Sequence, residues 1–82
     1  MTKAEKLRNR FLSRPKDFTY NELIRLLHSF GYKEQQGSGS RIVFVNERIK
    51  HSIKLHKPHP GNILKKYQID LIIQELKSNG LL

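Results

Sequence analysis

Between Arg41 and His56 the chain carries the two halves of a β-hairpin, and that hairpin limits what the rest can do. Arg41 to Val45 is rich in β-branched residues, as strands are. Asn46-Glu47-Arg48 reads as a tight connection. From Ile49 to His56 the pattern alternates: Ile49, His51, Ile53 and Leu55 on one face, Lys50, Ser52, Lys54 and His56 on the other. A chain of 82 residues makes one small domain with a single thin core. The apolar face of the hairpin must therefore meet that core, and the opposite face is left open or awaits a partner. On it the pleat sets Lys50, Lys54 and His56 near the strand of Arg41, Val43 and Val45.

The elements around the hairpin follow from caps and periodicity. Thr2 and Glu5 have capping-box spacing, so a short helix is expected from Thr2 to Ser13. Ala4, Leu7, Phe11 and Leu12 lie along one face of it, Lys3, Lys6, Arg8 and Arg10 along the other. Arg14-Pro15-Lys16-Asp17 breaks it. A second helix starts at Thr19, with Glu22 completing a capping box and Phe18 and Leu23 at staple positions. Leu23, Ile24, Leu26, Leu27 and Phe30 form its apolar face, His28 sits at the boundary, and Gly31 stops it. Tyr32 to Gln36 can form a short polar strand, followed by the turn Gly37-Ser38-Gly39-Ser40. Lys57-Pro58-His59-Pro60-Gly61-Asn62 cannot be regular structure. The last helix runs from about Ile63 or Lys66 to Lys77. Leu64, Tyr67 or Gln68, Leu71, Ile72 and Leu76 form its buried side, Ile69 and Ile73 widen it, and Asn79-Gly80 ends it. The order is helix, helix, three antiparallel strands, helix: an α+β domain with its helices on one sheet face.

Charge narrows the function. Sixteen Lys and Arg oppose seven Asp and Glu, for a formal charge of +9, which favours nucleic acid, an anionic surface or an acidic protein as partner. Arg48, Lys50, Lys54, Lys57, Lys65 and Lys66 fall in a stretch, Arg48 to Ile69, that holds no acidic residue but three of the four histidines. Charges without local counter-charges are suited to meeting a polyanion. No apolar run approaches the ~20 residues of a spanning helix and no signal-peptide pattern opens the chain, so no membrane role is expected. The absence of cysteine removes disulfides and thiolate metal sites and fits a cytoplasmic home.

Four local features give the chain a family resemblance. A helix ends in Ser29-Phe30-Gly31-Tyr32, and a Gly-Ser turn leads into Arg41-Ile42-Val43-Phe44. Then come the His-Pro element Lys57-Pro58-His59-Pro60 and Leu64-Lys65 opening a last helix that ends in Gly80-Leu81. In this order and spacing they resemble a HicA-type toxin from about Phe18 to Leu82. The resemblance implies a double-stranded-RNA-binding-like fold, a helix, three antiparallel strands and a helix, over residues 18–82. Residues 1–17 would be an N-terminal helical extension. It also implies a toxin of a type II toxin–antitoxin system: an endoribonuclease that cleaves mRNA and is silenced by an acidic HicB-like antitoxin. The family has its catalytic histidine directly after Gly-Ser and three residues before an aromatic. Here the run is Gly39-Ser40-Arg41, with Phe44 as the aromatic, and Arg41 holds the histidine's position. The family's active residue does not carry over. Either another histidine does the work, or the protein binds RNA without cutting it.

Metal-free RNA cleavage needs a group to take the 2′-hydroxyl proton, a group to protonate the leaving 5′-oxygen, and positive charge at the phosphate. Imidazole suits the proton transfers at neutral pH. His56 is the first candidate, on the open face with Lys54. His59 is the second, in a loop whose prolines restrict the backbone. His51 is third, because strand parity turns it toward the core. A guanidinium at Arg41 would clamp phosphate but is a poor base. Ser40, Arg41, Lys50, Lys54, Lys57, Lys65 and Lys66 are the expected RNA contacts. The histidine spacings suit no metal-ligand pair on a strand and no carboxylate completes a set, so neither metal nor other cofactor is expected. The Gly-Ser-Gly-Ser turn is either a phosphate cradle of backbone N–H groups or a plain hairpin loop. A non-catalytic RNA-binding domain and a purely protein-binding basic domain remain as alternatives.

Overall fold

The computed structural model describes residues 2–58 and 61–82. Its elements are α1 (Lys3–Leu12), α2 (Tyr20–Ser29), β1 (Lys33–Gln36), β2 (Arg41–Asn46), β3 (His51–His56) and α3 (Lys66–Ser78). The strands form one antiparallel sheet in the order β1-β2-β3, with Gln35 opposite Val43 and Val43 opposite Lys54. This is the α+β, double-stranded-RNA-binding-like arrangement expected from the sequence.

Capping fixes the helix ends. The Thr2 hydroxyl accepts the Glu5 N–H at 3.1 Å. At α2 the Thr19 hydroxyl accepts the Glu22 N–H at 3.1 Å while the Glu22 carboxylate accepts the Thr19 N–H at 3.0 Å, a complete capping box. At the far end Gly31 takes φ +97°, its N–H reaches the His28 carbonyl, and the Tyr32 N–H reaches Leu27. This is the Schellman closure that lets a chain leave a helix and turn straight into a strand.

The core lies on one sheet face. Ile42, Phe44, Ile53 and Leu55 meet Leu23, Leu26 and Leu27 of α2 and Ile69, Ile72, Ile73 and Leu76 of α3. Helix α1 joins the same core through Phe11, whose ring lies 4.9 Å from that of Phe18. Its end is tied down twice: Arg10 pairs with Glu22 at 3.0 Å and Asp17 at 3.1 Å, and Arg14 pairs with Asp70 of α3 at 2.8 Å. Arg8 lays its guanidinium over the Phe30 ring at 4.7 Å. Arg8 and Arg10 thus bind the domain itself, and the free basic face of α1 is narrower than the helical wheel suggests.

Two expectations are corrected and one core residue is added. Ile49 does not belong to the third strand. Asn46 pairs with His51, the turn occupies residues 47–50, and Lys50 bends back at φ +52°, so Ile49 is 38% exposed and Lys50 sits at the tip of the turn. In α3 the buried face is Gln68, Ile69, Ile72, Ile73 and Leu76; Tyr67 and Leu71 are 64% and 40% exposed. With the first helical residue at Lys66, about 100° per residue turns Leu71 off the stripe centred on Ile69 and Ile72. Tyr20, unmarked in the sequence reading, is a core residue on α2.

His51 does point to the helix side. Its Nδ1 meets the Tyr32 hydroxyl at 2.7 Å and its Nε2 meets the Glu75 carboxylate at 2.9 Å. The chain Tyr32–His51–Glu75 joins the exit of α2, the start of β3 and the last turns of α3. Burial, together with the Glu75 charge, pushes the Tyr32 phenol above its ordinary pKa, so this tyrosine stays a neutral hydrogen-bonding group. Asn46 makes a parallel clamp: its amide donates to the Phe30 carbonyl at 3.0 Å and accepts the Arg48 N–H at 3.1 Å.

Phe11→Ala should destabilise the domain by roughly 3 kcal/mol, the usual cost of emptying a buried aromatic position, measured by urea unfolding. A change near zero would mean that α1 is not part of the core. Glu22 yields an acid-side expectation. The Arg10 hydrogen bond lowers its pKa against the opposing effect of burial, and the Thr19 bonds add to the lowering. A depressed carboxylate stabilises the fold fully above its unfolded value, about 4.3, and the contribution fades as pH falls through the folded value. Melting temperature should therefore drop on acidification below about pH 4, and Glu22→Gln, less stable at neutral pH, should show a shallower drop.

Candidate nucleic-acid interface

The open sheet face carries Val43 and Val45, both half-buried, with Arg41, Lys54, His56, Ser52, Lys33 and Gln35 around them. Shallow cavities cross it, two of them along β2 and β3. One, of about 300 Å³, is lined by Arg41, Ile42, Val43, Lys54, Leu55 and His56. The other, of about 460 Å³, extends from Val43 and Val45 to Lys50, His51 and Ser52 at the turn. A third, of about 430 Å³, lies on the helix side among Arg14, Pro15, Lys16, Leu64, Lys66 and Ile69, away from the strand residues.

The ladder brings Arg41 and His56 together. They are opposite one another, and the Lys57 N–H donates to the Ser40 carbonyl at 2.8 Å one step further along. Antiparallel pairs alternate, so Arg41–His56 is a non-hydrogen-bonded pair, the kind that holds its side chains closest, with Cα atoms about 4.5 Å apart. The Arg41 carbonyl turns the other way and accepts the Gly37 N–H at 2.9 Å. The His56 ring is exposed, and its Nδ1 lies 3.3 Å from the Ser40 hydroxyl. If that contact takes the proton on Nδ1, Nε2 is left as a lone-pair base. Lys54 is two residues back on the same face.

The remaining expected contacts spread around this point. Lys57, directly after β3, holds its ammonium 5.8 Å above the Tyr20 ring. Burial and the hydrogen-bonded Glu34 carboxylate raise the pKa of the Tyr20 phenol, which keeps the ring neutral beneath that cation. Lys65 is the N-cap of α3 and Lys66 its first residue, both exposed. Lys50 belongs to the far end of the face, at the turn. Among the described residues none of Arg41, Lys50, Lys54, Lys57, Lys65 and Lys66 forms an ion pair; the pairs fall on Arg10, Arg14 and His51. His59 lies outside the described residues. The Gly-Ser turn is closed by two backbone bonds: the Gly37 N–H donates to the Arg41 carbonyl at 2.9 Å and the Arg41 N–H donates to the Ser38 carbonyl at 3.3 Å. Among the described residues no three His, Asp or Glu side chains gather as a metal site.

Sequence reasoning missed the side chain that braces this end of the sheet. Gln68 is only 4% exposed, and its amide donates to the His56 carbonyl at 2.9 Å while its oxygen accepts the Lys65 N–H at 3.0 Å. The three-residue spacing of a capping box was present in Lys65 and Gln68. Lysine lacks the side-chain oxygen that usually marks such a cap, so the signal was silent.

Neither the curated proteins nor the solved structures gave a match. A model for the HicA toxin of bacterial toxin–antitoxin systems matches residues 20–81, which span α2, the whole sheet and α3 and leave α1 outside. That match covers most of the chain, and with it the chain belongs to the HicA toxin family, whose members act with an antitoxin partner.

Proposed function

We propose that this toxin is a metal-independent endoribonuclease acting on mRNA in the cytoplasm, neutralised by an acidic HicB-like antitoxin that covers the open sheet face. The observation that carries the reading is the Arg41–His56 pair, with Ser40 on the imidazole and Lys54 in the same cavity. It puts a proton-transfer group beside two cations on a surface wide enough for a strand of RNA.

The chemistry is transesterification. The 2′-oxygen attacks phosphorus, the bond from phosphorus to the 5′-oxygen breaks, and the products are a 2′,3′-cyclic phosphate and a 5′-hydroxyl. One proton leaves the 2′-hydroxyl and one arrives at the 5′-oxygen. His56 takes one of these roles and His59 is the candidate for the other. Arg41 and Lys54 stabilise the charge that builds on the phosphate. Arg41, in the position of the family histidine, supplies charge where a histidine would supply base. Residues 1–17 add a helix to the family core. An antitoxin with carboxylates over Arg41, Lys54 and His56 would deny RNA the site and would associate quickly through charge attraction. The second reading, a non-catalytic RNA-binding domain, is favoured by the loss of the family histidine and shares every binding contact.

His56→Ala separates the two. Growth arrest and RNA cleavage should be lost by about 10²-fold or more, the usual span for one acid–base group. RNA affinity and melting temperature should stay near wild type, since the side chain is exposed. The product should carry a 2′,3′-cyclic phosphate, and cleavage should survive EDTA. Full toxicity in His56→Ala would pass the role to His59, and full toxicity in His56→Ala with His59→Ala would remove histidine catalysis from this part of the chain.

Binding itself should be steeply salt-dependent. If about four phosphates are engaged, the log–log slope against salt is roughly −3 on single-stranded RNA, and Lys54→Ala or Lys50→Ala should each reduce it by about 0.7. Affinity indifferent to salt between dilute and physiological buffer would count against RNA as the ligand.

A further inference from the structure

The end of β3 has a hydrogen-bonding requirement that the sheet does not meet. β3 is an edge strand, and in a non-hydrogen-bonded pair the His56 carbonyl points away from β2. It is Gln68 of α3, through its amide, that accepts the task. The same side chain, buried at the core edge, uses its other atom to accept the Lys65 N–H. A single amide therefore reads two backbones and sets the spacing between them: the residue bearing the imidazole and the residue that opens the basic head of α3. Glutamine alone among the side chains of this length offers both a neutral donor and an acceptor, and both are in use.

We propose that Gln68 is a positioning residue for His56. It holds the last residue of β3 in register with Arg41 and Ser40, and it holds Lys65 and Lys66 at a fixed distance from the same point. Nothing else is bonded to the His56 backbone on that side among the described residues, so loss of the amide leaves the strand end held to β2 by the Lys57–Ser40 backbone bond alone and eases its fraying. Fraying would separate the imidazole from Ser40 and Arg41 while leaving the ladder from Ile42 to Leu55 in place. The proposal rests on the reading of His56 as an acid–base group, but its structural half is measurable without any cleavage.

Two variants divide the roles of the side chain. Gln68→Glu retains the acceptor for the Lys65 N–H, and glutamate is a preferred capping-box residue, so the helix start survives; read at a pH where the carboxyl is ionised, it loses the donor to His56 and sets a negative charge against that carbonyl. Gln68→Met keeps length and burial but removes both bonds. The ring nitrogens of His56, followed by NMR across the pH range, report its tautomer and hydrogen bonding directly. In the wild type one tautomer should dominate, held by Ser40. In both variants the two ring-nitrogen signals should move toward each other as the tautomers average. Cleavage, assayed well below each variant's melting temperature, should lose about 10-fold or more in kcat, a size typical of a small misplacement of a reacting group, with KM for RNA within about twofold. A purely structural glutamine would lower the melting temperature and leave kcat of the folded protein untouched. Wild-type kcat in folded Gln68→Glu would overturn the proposal. So would unchanged His56 nitrogen signals in either folded variant, whether or not the protein cuts RNA. Normal cleavage in His56→Ala with averaged nitrogen signals in Gln68→Glu would instead remove the catalytic reading and keep the positioning.

Discussion

Packing of α2 and α3 on the same side of the β2–β3 ladder is the constraint from which the rest of the molecule follows. A three-stranded sheet has two faces, and a chain this short has apolar side chains enough for one. Ile42, Phe44, Ile53 and Leu55 spend their burial on that side. Alternation then forces Arg41, Val43, Val45, Ser52, Lys54 and His56 to the other. The candidate site is thus the second face of the strands that hold the core together. A one-residue slip of register would move both at once, which is why the clamps at each end of the hairpin matter. Asn46 and the Tyr32–His51–Glu75 chain secure the turn end; Gln68 secures the other.

The hairpin and the caps of α1 and α2 were legible in the sequence because each is a local rule. Thr19 with Glu22 and Gly31 name the bounds of α2, and the alternation through Ile53 and Leu55 names the buried face. The errors fell where the deciding interaction is between elements or in the backbone. Alternation continues through Ile49 and Lys50, and nothing in periodicity reports that Lys50 takes a left-handed conformation. The stripe of α3 is crowded with apolar residues, and choosing between Tyr67 and Gln68 needed the first residue of the helix and the unpaired carbonyl of His56. Buried glutamine runs against expectation from polarity alone, and here two backbone bonds offset the cost of its desolvation. The candidate site was legible as a set of charges on one strand face. That Arg41 faces His56 directly follows from the register, which the sequence only implied.

Cations on this molecule divide into two populations with different jobs. Arg8, Arg10 and Arg14 lie on an aromatic ring or on carboxylates of the domain, and they attach α1 and the turn after it to α2 and α3. These are guanidinium groups, suited by their planar fork to fixed partners. On the sheet face and around the head of α3 the cations are lysines, with Arg41 the one arginine; Lys57 rests over the Tyr20 ring, and among the described residues none of them pairs with a carboxylate. Arg10 and Arg14 occupy three of the seven acidic residues of the chain, Asp17, Glu22 and Asp70. What remains for the open face is close to uncompensated positive charge.

That imbalance sets how copies of the protein treat one another. Val43 and Val45 form an apolar strip in the middle of the open face, and β1 and β3 are both edge strands. Strips and edges of this kind are where chains stick to their own kind. With a formal charge of +9, two such faces repel before they can meet, over a range of about 8 Å at physiological salt. The colloidal stability of the free chain is therefore electrostatic, bought against an adhesive surface. A bound acidic partner that cancels the charge must also shield the strip, since neutralising one without covering the other would leave a surface prone to coalesce.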